Sequence, residues 1–242
     1  MSTFRYHLHL EINHCESLTQ KHALRTLMKK IIKLISAFTV TLLLSISFSS
    51  FSATFEEGKH YKIVAKNKTT TPELSEYFSY YCPACRAYEP YLDGIKKMMP
   101  EQAKFNKVHV DFMRQAPADT QFMLSKALII AEKTDIDREF SSALFNYLQT
   151  DRATIDNEKD IRNIFVLSGG DGKKFDQGMK NFSVIGQAKR EKKVQDELSA
   201  NNPLTSVPAM VVNGKYLINS KSLDRNNFFA EYNELVAYLF TL

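Results

Sequence analysis

Hydrophobic positions recur with two different periods along this chain, and the change of period divides it. Up to about residue 112 the pattern alternates. Tyr61 to Ala65 predicts a short strand, and Lys66 to Pro72 a polar loop. Leu74, Glu76, Phe78 and Tyr80 then alternate with Ser75, Tyr77, Ser79 and Tyr81, a run whose aromatics suit a pleated, packed surface. This strand leads straight into a helix that starts at Cys82-Pro83-Ala84-Cys85 and is predicted to run to about Met99, where Pro100 stops it. Phe105 to Val110 alternates again, with Phe105, Lys107 and His109 on one face and Asn106, Val108 and Val110 on the other. The expectation is a βαβ unit with parallel strands and a right-handed crossover.

From about Pro117 the period becomes helical. One predicted helix carries Phe122, Leu124, Ala127, Leu128, Ile130 and Ala131; the next carries Phe140, Leu144, Phe145 and Leu148. A third, with Ile161, Ile164, Phe165 and Leu167, ends at Gly169-Gly170. A short piece follows at Phe175 to Asn181, then a longer charged helix from Ile185 to Leu198. After Pro203 the alternation returns: Ala209 to Val212, Asn213-Gly214, and Lys215 to Ile218 read as a hairpin with a type I′ turn. Asp224 is expected to cap a last helix bearing Phe228, Phe229, Tyr232, Leu235, Leu239 and Phe240. The class is α/β, with one domain in two parts, 53–112 and 201–242, around an all-helical insertion at 113–200.

Residues 28–52 read as a secretory signal peptide. Met28-Lys29-Lys30 and Lys33 form its basic start, Leu34 to Phe48 its apolar stretch, and Ser50-Phe51-Ser52 the small residues before a cut at Ala53. The apolar stretch is shorter than the roughly 18–20 residues of a spanning helix. Residues 1–27 are too long for a signal's basic region and read as an upstream extension, with Met28 as the true start; His7, His9, His14 and Cys15 then never reach the mature protein.

The leader also carries the charge imbalance. The whole chain of 242 residues is +5, but residues 1–52 hold six of its 32 basic and two of its 27 acidic side chains. What remains is close to neutral and has no basic run with interleaved aromatics, so nothing points to nucleic acid. Export implies an oxidising compartment, where the mature chain would keep only Cys82 and Cys85.

Those two cysteines carry the chemistry. Pro83 is tolerated at the first helical position, which leaves Cys82 at the helix N-terminus, where unpaired N–H groups and the helix dipole favour a thiolate. Cys85 lies one turn deeper on nearly the same face. A structural bridge rarely closes so short a loop. A zinc site needs about four ligands, and beyond the leader only His60 and His109 remain as histidines. Disulfide exchange is the predicted chemistry.

Cys82-Pro83-Ala84-Cys85 after an aromatic strand, with Ser206-Val207-Pro208-Ala209-Met210 far downstream, resembles the DsbA family of bacterial thiol:disulfide interchange proteins. Gly58-Lys59-His60-Tyr61 and Val212-Asn213-Gly214-Lys215-Tyr216 extend the resemblance from about Phe55 to the C-terminus. It implies a thioredoxin-like fold with an inserted helical subdomain, which the order of predicted elements also fits. It implies a cis Val207–Pro208 bond against the cysteine pair, with Ser206, Val207 and Pro208 offering backbone to an extended substrate. The residues themselves say only that a strand-start proline cannot donate to a ladder.

Glu76 stands mid-strand, where a carboxylate must be paired or protonated, and Lys107 on the next strand is its candidate partner. By resemblance this acid lies beneath the disulfide and exchanges a proton with Cys85. Ala84 departs from the family pattern, which most often has histidine there, so the strength of oxidation is open. The expected protein is a monomeric periplasmic oxidoreductase that donates its Cys82–Cys85 disulfide to unfolded exported proteins with free thiols. By resemblance a membrane partner of the DsbB type reoxidises it, and no cofactor or metal is needed. A reductase or isomerase is the alternative, though the residues between Ala53 and Tyr61 cannot supply an isomerase's dimerisation domain. A peptide-binding chaperone and, more weakly, a metal-delivery protein are the others.

Overall fold

The computed structural model describes Met28 and residues 55–200 and 203–242. The predicted extension and signal peptide lie outside the described residues, apart from Met28. Five strands form one sheet: β1 (Tyr61–Ile63), β2 (Glu73–Phe78), β3 (Lys104–His109), β4 (Ala209–Val212) and β5 (Tyr216–Ile218), in the order β1-β5-β4-β2-β3. β2 runs parallel to β3, with Glu76 opposite Lys107, and antiparallel to β4, with Glu76 opposite Met210. The strand that leads to the cysteines therefore lies inside the sheet. β4 and β5 form the hairpin, turned by Asn213 at φ 52° and Gly214 at φ 62°. Two successive left-handed residues are what a type I′ turn requires, and Asn-Gly supplies them with least strain.

β2 stops at Phe78, earlier than its alternation suggests. Ser79 to Tyr81 turn instead, and the Cys82 N–H closes the turn on the Ser79 carbonyl at 3.0 Å. The cysteine helix is also not continuous to Met99. It comprises α1 (Pro83–Tyr88), a 3₁₀ turn (Glu89–Tyr91) and α2 (Leu92–Lys96). Pro90 is the cause: it has no N–H to return to Arg86, and the Glu89 N–H takes the Arg86 carbonyl instead.

Between β3 and β4 the chain is helical: α3 (Ala118–Lys133), α4 (Asp137–Phe145) continuing into a π-helical turn (Asn146–Thr150), α5 (Glu158–Leu167), α6 (Gly172–Met179) and α7 (Phe182–Ala200). Leu124, Leu128, Phe140, Phe145, Phe165 and Phe175 form its core, which is continuous with Phe78, Tyr80 and both cysteines. Val108, Val211 and Leu217 pack with Leu198 of α7 in a second cluster. The last helix, α8 (Phe228–Thr241), packs on α2 and β4. Asp224 does not cap it. Asn227 stands at the helix start without a side-chain cap bond, and the Asp224 carboxylate takes the Asn226 N–H at 2.9 Å. Asp224 lies three residues too early to reach the helix's free N–H groups.

Candidate active site

Cys82 is the N-cap of α1, with φ −98° and ψ 112°, and Pro83 begins the helix. Its sulfur accepts the Cys85 backbone N–H at 3.2 Å and lies 3.4 Å from the Val207 carbonyl oxygen, to which the thiol donates. Both cysteines are free thiols; Cys82 is 5% exposed and Cys85 fully buried. The environment separates their acidities. A hydrogen bond from the Cys85 thiol, helped by the backbone N–H groups of Cys85 and Ala84, outweighs burial and holds the Cys82 thiol down to about 6. Burial, that same hydrogen bond and the nearby charges of Cys82 and Glu76 push the Cys85 thiol far up.

The Val207–Pro208 peptide is cis, and its loop carries Val207 to the sulfur. Ser206 is exposed in the same loop. Ala84 is exposed on the first turn, beside a groove walled by Tyr88, Tyr91, Phe228 and Phe229. The Tyr91 and Phe229 rings stack at 3.5 Å.

Glu76 is wholly buried, and neither carboxylate oxygen accepts a hydrogen bond. Lys107 Nζ is 3.6 Å away, beyond hydrogen-bond length, and donates instead to Glu89 Oε1 at 2.5 Å. Burial pushes the Glu76 carboxyl up to about 7 even though Lys107 opposes it. Burial pulls on the Lys107 ammonium too, but the two carboxylates outweigh it and hold it above its ordinary value. Pairing Glu76 with Lys107 alone thus missed Glu89. It lies in the 3₁₀ turn that follows α1, four residues after Cys85.

Two further residues were not foreseen. His109, considered only as a stray metal ligand, stacks on Tyr80 at 5.0 Å, and burial holds it neutral, with its pKa down to about 3. Gln149 of the π-helical turn donates to the carbonyls of Tyr80 and Cys82. No sequence signal marks it. Among the described residues no group of three His, Cys, Asp or Glu side chains could hold a metal.

A mixed sheet, a cysteine pair at a helix start and a cis-proline loop against it define a thioredoxin-like dithiol protein. Residues 73–228 match the family described as DSBA-like thioredoxin domain, and the chain belongs to that family. It is 33% identical over 202 residues to the thiol:disulfide interchange protein DsbA of Escherichia coli K12, covering 81% of this chain and 93% of that protein. With the DsbA of Pectobacterium carotovorum it shares 31% over the same length, covering 81% and 93%. The structure of Proteus mirabilis DsbA superposes with a TM-score of 0.68 at 26% identity, covering 78% of this chain and 99% of that one. The chain is accordingly a thiol:disulfide oxidoreductase, and its redox group is a disulfide of its own rather than a cofactor.

Proposed function

We propose that the protein is an oxidant, passing the Cys82–Cys85 disulfide to exported proteins in the periplasm. The observation that carries this is the geometry of the pair: the Cys82 sulfur caps the helix and takes the Cys85 N–H at 3.2 Å, while Cys85 is fully buried, which holds the first thiol down to about 6 and pushes the second up. A stabilised Cys82 thiolate favours the reduced enzyme, which makes its disulfide a strong electron acceptor. A substrate thiolate attacks the Cys82 sulfur, the Cys82–Cys85 bond breaks, and Cys85 leaves with the electron pair. Glu76, poised near neutrality beneath it, supplies the proton that a buried Cys85 thiolate needs, and Lys107 with Glu89 sets that carboxyl's charge. The substrate's second thiolate then attacks its own sulfur in the mixed disulfide and releases Cys82 as the thiolate. Two electrons have moved to the enzyme, and the substrate holds the disulfide.

The cis-proline loop, Ser206 to Pro208, is the backbone edge for an extended substrate. The aromatic groove beside Ala84 receives the segment that follows, and a membrane partner of the DsbB type that restores the disulfide docks there too. A Proteus mirabilis DsbA variant has been solved with a non-covalently bound peptide, PWATCDS, which supports a peptide substrate for this fold. The protein acts as a monomer, exported by the segment 28–52.

Equilibration with glutathione buffers tests the direction. A reduction potential well above the roughly −270 mV of thioredoxin supports an oxidant; one at or below it makes the protein a reductase. Complementation of a strain that cannot form disulfides by wild type but not by Cys82→Ser excludes a chaperone that works without its cysteines.

A further inference from the structure

The helical insertion meets the cysteine segment through its packed core and through one turn that hydrogen-bonds it. Where α4 ends, the helix widens, and the Asp151 N–H bonds five residues back to the Asn146 carbonyl at 3.0 Å. Such π-helical turns are frequent at functional sites. Asn146, Gln149 and Thr150, three and four residues apart, share one face of this turn. All three bond the segment that carries Cys82. Gln149 Nε2 donates to the Tyr80 carbonyl at 2.8 Å and to the Cys82 carbonyl at 3.1 Å. Arg86, on the first turn of α1, donates to Asn146 Oδ1 at 2.6 Å and to Thr150 Oγ1 at 2.7 Å. Nearby, the Tyr80 hydroxyl lies 3.0 Å from Ser141 Oγ, and its ring packs edge-on against Phe145 at 5.1 Å.

We propose that Gln149 is a positioning residue for the exchanging sulfur: its amide holds the carbonyls on either side of Tyr81 and so fixes the extended backbone of Cys82 at the helix cap. The cap geometry depends on that backbone. The Cys82 sulfur meets the Cys85 N–H only while Cys82 stays extended and its carbonyl stays turned into the helix, where Arg86 N also bonds it at 3.2 Å. Both groups facing Gln149 are carbonyls, so only a donor can serve there. The clamp reaches the site from the insertion, so it acts on the sulfur without touching it.

This inference rests on Cys82 as the exchanging sulfur, and its test reads that thiol directly, so failure leaves the direction of exchange undecided by it. Gln149→Met keeps the side chain's length and packing but has no donor. Gln149→Asn keeps an amide that falls short by one methylene. Tyr147→Phe is the control: it removes a hydrogen bond from the same turn, Tyr147 hydroxyl to the Thr154 carbonyl at 3.2 Å, that does not face the cysteines. The thiolate absorbance of each reduced protein is titrated, and its exchange rate with a model dithiol is measured at neutral pH. Both Gln149 variants should raise the thiolate midpoint by about half a unit, the size expected when a cap hydrogen bond weakens. Their exchange rates should fall together with the thiolate population, while Tyr147→Phe leaves the midpoint in place. A midpoint unmoved in either folded Gln149 variant, or moved equally by Tyr147→Phe, would overturn the proposal.

Discussion

The backbone N–H of Cys85 points at the sulfur of Cys82 from 3.2 Å. The second cysteine of the pair thus helps to hold the charge of the first, while being buried too deeply to carry one itself. Limiting alkylating reagent should label Cys82 and spare Cys85, and the thiolate absorbance should titrate near pH 6. Labelling that favours Cys85 would reverse the two roles.

The same acidity makes the reduced fold depend on pH. The folded Cys82 thiol lies at about 6, against an ordinary 9.0. A lowered acid stabilises the fold fully above its unfolded value, and that stability is lost as pH falls through the folded value. Each unit is worth about 1.4 kcal/mol. The reduced form should therefore gain on the oxidised form in thermal melts as pH rises from about 6 to 9. A constant difference across that range would count against a stabilised thiolate.

Glu76 acts in the opposite sense. Its carboxyl is raised from 4.5 to about 7, so the folded protein holds a proton that the unfolded chain has released. Stability should fall as pH rises through that window, by about 1.4 kcal/mol per unit. Glu76→Gln should flatten this slope and weaken the pH dependence of exchange. Denaturant unfolding at several pH values checks the first; stopped-flow reduction checks the second. An unaltered rate profile in the variant removes the proton role from Glu76.

Ala84 leaves an exposed position empty beside the sulfur. Ala84→His adds a donor and a partial positive charge, so the Cys82 pKa should fall and the reduction potential should rise with it. A fall of one unit acting only on the reduced form corresponds to about 30 mV. A pKa that does not fall would mean that the backbone N–H groups of Ala84 and Cys85 already satisfy the sulfur.

Gly214 is held at φ 62°, and a Cβ there would come within 2.8 Å of the Thr69 methyl. Gly214→Ala should destabilise the protein by about 1–2 kcal/mol through left-handed strain and that contact. Denaturant melts should show this in both redox states alike, because the hairpin turn makes no contact with the sulfurs. An unchanged midpoint would show that the turn relaxes at no cost.

Local chemistry was the part of this protein written most openly in its sequence. Asn213-Gly214 announces a turn, and Cys82-Pro83 announces a capped helix, because each depends on neighbours a few residues away. The break at Pro90 is equally local, but the apolar pattern around it is still helical, so the pattern alone predicts one continuous helix. Glu89 was lost with it, since its approach to Lys107 follows the 3₁₀ turn that Pro90 imposes. Gln149 was out of reach for another reason. Its partners are main-chain carbonyls 67 and 69 residues away, and carbonyls have no residue type to recognise. Glu76 lay between these cases: the strand pattern demanded a partner or a proton, but the 3.6 Å gap to Lys107 is a matter of packing.

The helical insertion leaves the sheet after β3 and re-enters at β4, the two strands that flank β2. Its two attachment points are therefore the immediate neighbours of the strand that bears the cysteines. A rocking motion of the helices would load that strand from both sides, like a string held by two pegs. A shift of the insertion would thus reach the cysteines along the backbone as well as through its packed core.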